Sequence, residues 1–325
     1  MQLVSLASIN DWDIICWHYF GNVPDSKQEK PYSQALDYSS SEIEHPQGLH
    51  YQYDEVQLSA MMAASQIFRN FQLDPATDPT TFIFGRKSLY DPASMDYAGS
   101  YKKTGNCFLP TTYRYGSRIK IDTSITEDKI IGPVIKRGVY EPNPYVPTPE
   151  IEYNWNQGYL QFDNEQVCMF TGFLHGEDRS LMFDNGVEVS RVEFRNPENI
   201  AYPVTGEEGY FEFTLTSLDK KAIDESEELL VSLVSTSFNS GFELDHSKIK
   251  REFLWNWNKK STVNTGSTPV LVTRVGCNIK LPGIIKGDYL FYDFHFNLIG
   301  SGSFTRGEIC IPCDKPVFFT LIKPK

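Results

Sequence analysis

The sequence predicts a mostly β protein, in which antiparallel structure of the sandwich type follows a single strand–loop–helix unit. Three observations lead there. Beyond Pro79, short alternating runs broken by Gly, Pro and Asn succeed one another, as in antiparallel β structure. Only residues 54–71 repeat apolar side chains near the helical period. Residues 12–20 form an almost continuous apolar and aromatic run after Asp13, the pattern of a strand buried on both faces.

Composition narrows the class. The 325 residues carry 30 Lys and Arg against 42 Asp and Glu, a net charge of −12. That balance argues against a basic nucleic-acid footprint, so no nucleic-acid partner is expected. With 40% hydrophobic and 14% aromatic residues there is ample area for a core, which excludes a disordered or collagen-like chain. Six scattered cysteines do not make a disulfide scaffold. No apolar run approaches the roughly 18 residues of a membrane span, so no membrane partner is expected and the reading is a soluble globular chain. The opening ten residues are too short, and lack the basic start, for a secretory signal.

Taken in order, the strand-like run at 12–20 leads into a long acidic loop, 21–52, with Pro24, Pro31, Pro46 and a serine triplet at 39–41. The helix follows, with Asp54 as its cap. Val56, Leu58, Met61, Met62, Ile67, Phe68 and Phe71 form its stripe, and Leu73, Asp74 and Pro75 stop it. Expected strands then cover 81–84, 112–121, 151–155, 159–162, 187–194, 210–215, 229–235, 270–275, 278–281, 289–296, 307–311 and 317–321. The proline-rich stretch 140–149 cannot sustain ladder pairing and reads as an extended connector or edge. No fixed-period repeat is present. Three segments result: 1–74, the βα unit; 75–178, a linker and β-rich domain; and 179–325, a C-terminal antiparallel β-sandwich.

Several motifs carry possible chemistry. Cys310-Ile311-Pro312-Cys313 has the spacing of half a zinc site or a redox pair. No second ligand pair matches it, and the other cysteines and the six histidines show no ligand spacing, so buried thiols or an adventitious disulfide is the expectation, with no metal and no cofactor. Gly300-Ser301-Gly302-Ser303 lacks the lysine and the helix of a phosphate loop and reads as a hairpin turn. The basic runs at 248–251 and 259–260, near Trp255 and Trp257, read as a solvated loop. Asp11, Asp13, Glu42 and Glu44 read as caps, ion-pair partners or solvated groups in preference to catalytic acids.

Four stretches then carry a resemblance. ASINDWDIICWHYF (7–20) resembles the eighth barrel strand of retaining glycoside hydrolases of the β-galactosidase and β-agarase kind. DEVQLSAMMAASQIFR (54–69) is similar to their last barrel helix. IEYNWNQGYLQFD (151–163) with FTGFL (170–174) is similar to a segment after the barrel, and FTLTSLD (213–219), ESEELLV (225–231) and PVLV (269–272) are similar to their C-terminal β domain. The matches are collinear over most of the chain.

The resemblance implies antiparallel β-sandwich domains preceded by the last strand-loop-helix unit of a TIM (β/α)8 barrel. It implies an enzyme that hydrolyses β-galactosides or a related polysaccharide with retention, by two carboxyl groups about 5–5.5 Å apart. In that family both glutamates stand on earlier strands, so neither is assigned here. This chain is then expected to be the C-terminal part of a longer glycosidase and inactive alone. Trp17 matches an aromatic platform for the sugar beside the scissile bond, and its indole suits the C–H-rich face of a sugar. Its place at the top of a barrel strand is where that fold builds sites, although filling the barrel interior is the equally simple reading. His18 and Tyr19 flank it as candidate hydroxyl contacts.

The expected partners are a carbohydrate and an upstream chain that completes the barrel. Enzymes of this kind are often exported, which leaves the compartment open. The alternative is a non-catalytic carbohydrate-binding or subunit-docking protein, with Tyr153, Trp155 and Tyr159 as anchors.

Overall fold

The computed structural model describes residues 2–11, 13–15, 55–91, 111–112, 115–134, 151–154, 157–174, 179–197, 209–241, 243–244, 262–264 and 267–325. It is mostly β, and its larger sheets are antiparallel. Helix α1 (Gln2–Ile9) opens it, where sequence patterning suggested only the approach to a strand. Asp13–Ile15, the described part of the expected strand at 12–20, are not in a strand, and Ile14 is 69% exposed. The remainder of that run and the loop 21–52 lie outside the described residues.

Helix α2 (Glu55–Asn70) falls where the apolar period placed it. It buries Ala60, Ala63, Ala64 and Ile67, a face small enough to rest closely on a sheet. The expected stripe was too wide: Met62 is exposed, and Phe71, at φ +54° just past the helix end, is 81% exposed. The short helix α3 (Arg86–Tyr90) follows β1 (Thr80–Phe84). β1 pairs in parallel with β2 (Ser117–Ile121) and antiparallel with β3 (Lys129–Ile131). β2 is shorter than expected, because Thr111, Thr112 and Tyr115 take helical conformation before Gly116 turns the chain at φ +68°.

The largest sheet holds eight antiparallel strands. β4 (Ile151–Asn154) is one edge, followed in space by β5 (Tyr159–Asp163), β6 (Val167–Leu174), β9 (Gly209–Ser217), β10 (Leu229–Val234), β19 (Phe319–Pro324), β16 (Lys286–Tyr292) and β17 (Leu298–Thr305). Strands from the 75–178 and 179–325 segments therefore share this sheet. The four-stranded sheet runs β18 (Glu308–Ile311), β15 (Arg274–Lys280), β8 (Glu188–Arg195), β7 (Leu181–Met182). Two ribbons complete the described strands: β11 (Ser237–Ser240) with β14 (Ser267–Val272), and β12 (Glu243–Leu244) with β13 (Thr262–Asn264).

One buried cluster joins the two larger sheets. It draws Phe170, Phe211, Phe213 and Val231 from one and Val189, Val275, Ile279 and Ile309 from the other. The opposite face of the eight-stranded sheet is covered by the helices, where Ile9 and Ile67 pack with Leu160, Phe162 and Met169. Residues 167–172 are consequently all buried, a strand covered on both faces.

One turn and two strand assignments are corrected. Gly300–Ser303 lies inside β17, paired with residues 288–291 of β16, because the turn is made earlier, at Asp293–Asn297. There Asp293 accepts hydrogen bonds from the backbone N–H of His295 and Asn297, each at 2.9 Å, and Phe296 takes φ +60°. The expected strand 289–296 accordingly ends at Tyr292. The run 270–275 is likewise cut at Thr273, whose N–H turns to Thr236 O at 2.8 Å.

Candidate functional site

Trp17, His18 and Tyr19, the residues that the resemblance assigns to sugar binding, lie outside the described residues, as do Glu42 and Glu44. Asp11 is an exposed partner of Arg118, at 3.7 Å, and Asp13 is exposed. Of the anchors considered for a binding protein, Tyr159 is described; Trp155 and the side chain of Tyr153 are not.

Tyr159 organises a polar cluster at the β4 edge of the large sheet. β4 and β5 pair so that Asn154 stands opposite Tyr159, and a turn through Gly158, at φ +75°, joins them. The Tyr159 hydroxyl donates to Glu152 Oε1 at 2.5 Å and accepts from Asn154 Nδ2 at 3.3 Å. Asn154 also closes the turn, its Oδ1 accepting the Gln157 N–H at 2.9 Å and its Nδ2 donating to Gln157 Oε1 at 3.1 Å. The Tyr159 ring stacks on Phe170, centroids 5.4 Å apart. Burial, reinforced by the bond to Glu152, pushes its pKa up to about 12. The phenol therefore stays neutral at physiological pH, and the cluster is suited to hydrogen bonding beside an aromatic wall. Alternating polar and aromatic residues in IEYNWNQGY were the sequence signal for it; the bond to Glu152 was not foreseen.

On the sheet's other face, β6 and β9 place Thr171 opposite the buried Glu212. Thr171 Oγ1 donates to Glu212 Oε2 at 3.3 Å and lies 3.2 Å from the Tyr210 hydroxyl. Phe173, 46% exposed, meets Tyr210 edge-on at 6.1 Å.

Buried polar bonds dock α2 on the same face. Gln72 Nε2 donates to Ser217 O at 3.1 Å, and Ser232 Oγ donates to Ser59 O at 3.4 Å. Gln72 O accepts from Asn164 Nδ2. Asn10, just past α1, accepts from Ser117 N at 2.5 Å and Ser117 Oγ at 2.8 Å, tying α1 to β2.

Two open pockets lie elsewhere. One of about 450 Å³ is lined by Asp224, Glu225, Glu227, Lys286 and Lys325. The other, of about 320 Å³, has Arg195 and Arg274 beside Pro197, Leu271, Val272 and Pro316. The cysteine expectation divides. Ile309 and Ile311 are buried, and the same alternation turns Cys310 outward, so it is exposed; Cys313 is half-buried. Both are free thiols, and no metal-binding group occurs among the described residues.

Compared with protein-family models, curated proteins and solved structures, the chain matches none.

Proposed function

We propose that this chain is the C-terminal part of a glycoside hydrolase acting on β-galactosides or a related polysaccharide. Trp17, with His18 and Tyr19, forms part of the sugar-binding wall, and the β region braces the final βα unit of the barrel. The observation that carries the proposal is the junction between α2 and the large sheet. The two later stretches of the resemblance supply β4, β5, β6, β9 and β10, which are successive neighbours in one sheet, while PVLV (269–272) falls in the β11–β14 ribbon. The stretch similar to the last barrel helix rests on β9 and β10, with Gln72 bonded to Ser217 and Ser59 to Ser232. Elements that the resemblance separates along the chain are thus one packed unit.

Titration of the purified chain with β-galacto-oligosaccharides, followed by tryptophan fluorescence, tests the proposal. Saturable quenching, weakened about tenfold or more by Trp17→Ala, is expected. Binding that Trp17→Ala leaves unchanged, or no binding, overturns the assignment of Trp17. Turnover of aryl β-galactosides by this chain alone overturns the assignment of the catalytic pair to earlier strands.

A second reading is favoured by the Tyr159 cluster: a non-catalytic carbohydrate-binding protein that uses the β4 edge. In that case Tyr159→Phe and Glu152→Gln, not Trp17→Ala, weaken the titration.

A further inference from the structure

We infer that Arg195 and Arg274 form an acceptor for an oxyanion, the sulfate ester or carboxylate of an acidic sugar unit. The inference rests on the carbohydrate reading above. The register of β8 and β15 sets these residues directly opposite each other. Val275 and Phe194, their neighbours along the strands, pack into the core between the sheets, so the two arginines project from the sheet's outer face. Like charges directly opposed on antiparallel strands repel, and a protein of net charge −12 has no shortage of acids with which to neutralise them.

Yet among the described residues neither guanidinium is in an ion pair. Glu193, the next outward residue of β8, stands opposite Gly276 and pairs with neither. Arg274 is oriented instead by a neutral acceptor, its Nη1 donating to Asp314 O at 2.5 Å, and its other donors meet no acceptor among the described residues. Arg195 is exposed, and its side chain makes no hydrogen bond to any described residue.

Both arginines line the 320 Å³ pocket, and its volume is at the lower end of the roughly 300–1,000 Å³ range of small-ligand sites. Its other walls are the apolar Pro197, Leu271, Val272 and Pro316, together with Asn196. The corner behind them is held by Thr273, which bonds Asn196 Oδ1 at 3.2 Å and meets the Thr236 hydroxyl at 2.9 Å. Two planar guanidinium groups aimed at one space suit the bidentate geometry of carboxylate or sulfate, while the apolar walls suit the C–H face of a sugar ring.

Calorimetric titration of the full chain distinguishes the possibilities, with three probes: a sulfated galacto-oligosaccharide, its neutral counterpart, and inorganic sulfate. The sulfated oligosaccharide is expected to bind about tenfold or more tightly than either of the others. Arg195→Gln should abolish that advantage without lowering the melting temperature, because the Arg195 side chain bonds no described residue and the change relieves its repulsion with Arg274; Arg274→Gln should abolish it too. Equal affinity for the sulfated and neutral probes, or an advantage that survives Arg195→Gln, overturns the site. Inorganic sulfate binding as tightly as the sulfated sugar overturns the sugar part of the inference. Trp17→Ala keeps the two readings separate: loss of neutral-sugar binding reports on the barrel wall, whereas the charge-dependent increment reports on the arginines alone.

Discussion

Gln72 and Thr216 stand 144 residues apart in the chain and meet in a hydrogen bond of 2.8 Å, Thr216 Oγ1 donating to Gln72 Oε1. Gln72 is 3% exposed and Thr216 fully buried, so each is the other's substitute for water. Gln72 follows α2 by two residues, and Thr216 is near the end of a central strand. The bond therefore couples the helical layer to the sheet at one point, with the Gln72 amide nitrogen gripping Ser217 O alongside.

Gln72→Ala leaves the buried Thr216 hydroxyl and the Ser217 carbonyl only the long 3.4 Å bond that they make with each other. A loss of about 1–3 kcal/mol is expected, measured as a lower urea midpoint with unchanged slope. A midpoint shifted by less than the equivalent of one hydrogen bond would place the junction's strength in the apolar contacts of Ile67 and Ala64 instead.

The hairpin loop between β9 and β10 is organised by Asp219. Burial pushes its carboxyl up, but four bonds outweigh this: from Glu227 N–H at 2.9 Å, Ser226 Oγ at 2.8 Å, Ser217 Oγ at 2.8 Å and Lys221 N–H at 3.4 Å. Together they hold Asp219 well below the usual carboxylate range. A carboxyl with a depressed native pKa contributes stability that is present above its unfolded value, near 3.8, and is lost as pH falls below it. Melting temperatures measured from pH 6 to pH 2 should drop steeply below about pH 4 in the native protein and less steeply in Asp219→Asn. Parallel curves for the two proteins would remove Asp219 from the acid transition.

These particulars show what patterning can reach. The alternation in 187–194 and the helical period in 54–71 are local signals, and both elements formed within about two residues of their expected ends. The break at Thr273 depends on a partner 37 residues away, and the placement of Gly300–Ser303 inside a strand depends on the Asx-type turn at Asp293, neither of which period or composition reports. β6 escaped the list of expected strands because its residues, buried on both faces, do not alternate. Tyr159 was named from its aromatic neighbourhood, yet its hydroxyl is held as a donor by Glu152, two positions before its partner Asn154 on the adjacent strand. Arg195 and Arg274 are 79 residues apart, and only the register brings them together.

Tyr159→Phe removes the donor to Glu152 while keeping the ring on Phe170. A loss of about 1–2 kcal/mol is expected from a hydrogen bond to a charged acceptor at a half-buried site. The pH dependence has a definite sign. With a native pKa raised from 10.0 to about 12, the folded chain holds its proton where the unfolded chain has released it, so stability is full below pH 10 and falls as pH rises toward 12. Difference absorbance of native protein against Tyr159→Phe should show one phenol ionising near the top of that window. An ionisation near 10 would mean that in solution the phenol is neither buried against Phe170 nor bonded to Glu152.

The cysteines make the orientation of β18 testable. Cys310 projects outward, whereas Cys313 Sγ lies 3.6 Å from Glu193 O and 3.7 Å from Arg274 O, and burial, with Glu193 nearby, pushes its thiol pKa up. Cys168 and Cys277 are buried, with thiols raised further by desolvation. Alkylation by iodoacetamide, read residue by residue by mass spectrometry, should therefore label Cys310 first and Cys313 more slowly, and Cys168 and Cys277 only on unfolding. Gly276 holds this order in place, since a Cβ there would come 2.7 Å from Cys313 Cβ and as close to its backbone N. Gly276→Ala must push the 313–314 turn off the sheet. It should cost about 1–3 kcal/mol and accelerate labelling of Cys313 severalfold, leaving Cys310 unchanged. If Cys313 in Gly276→Ala still reacts at its original rate, the turn does not lie over Gly276 and the packing of this face has to be redrawn.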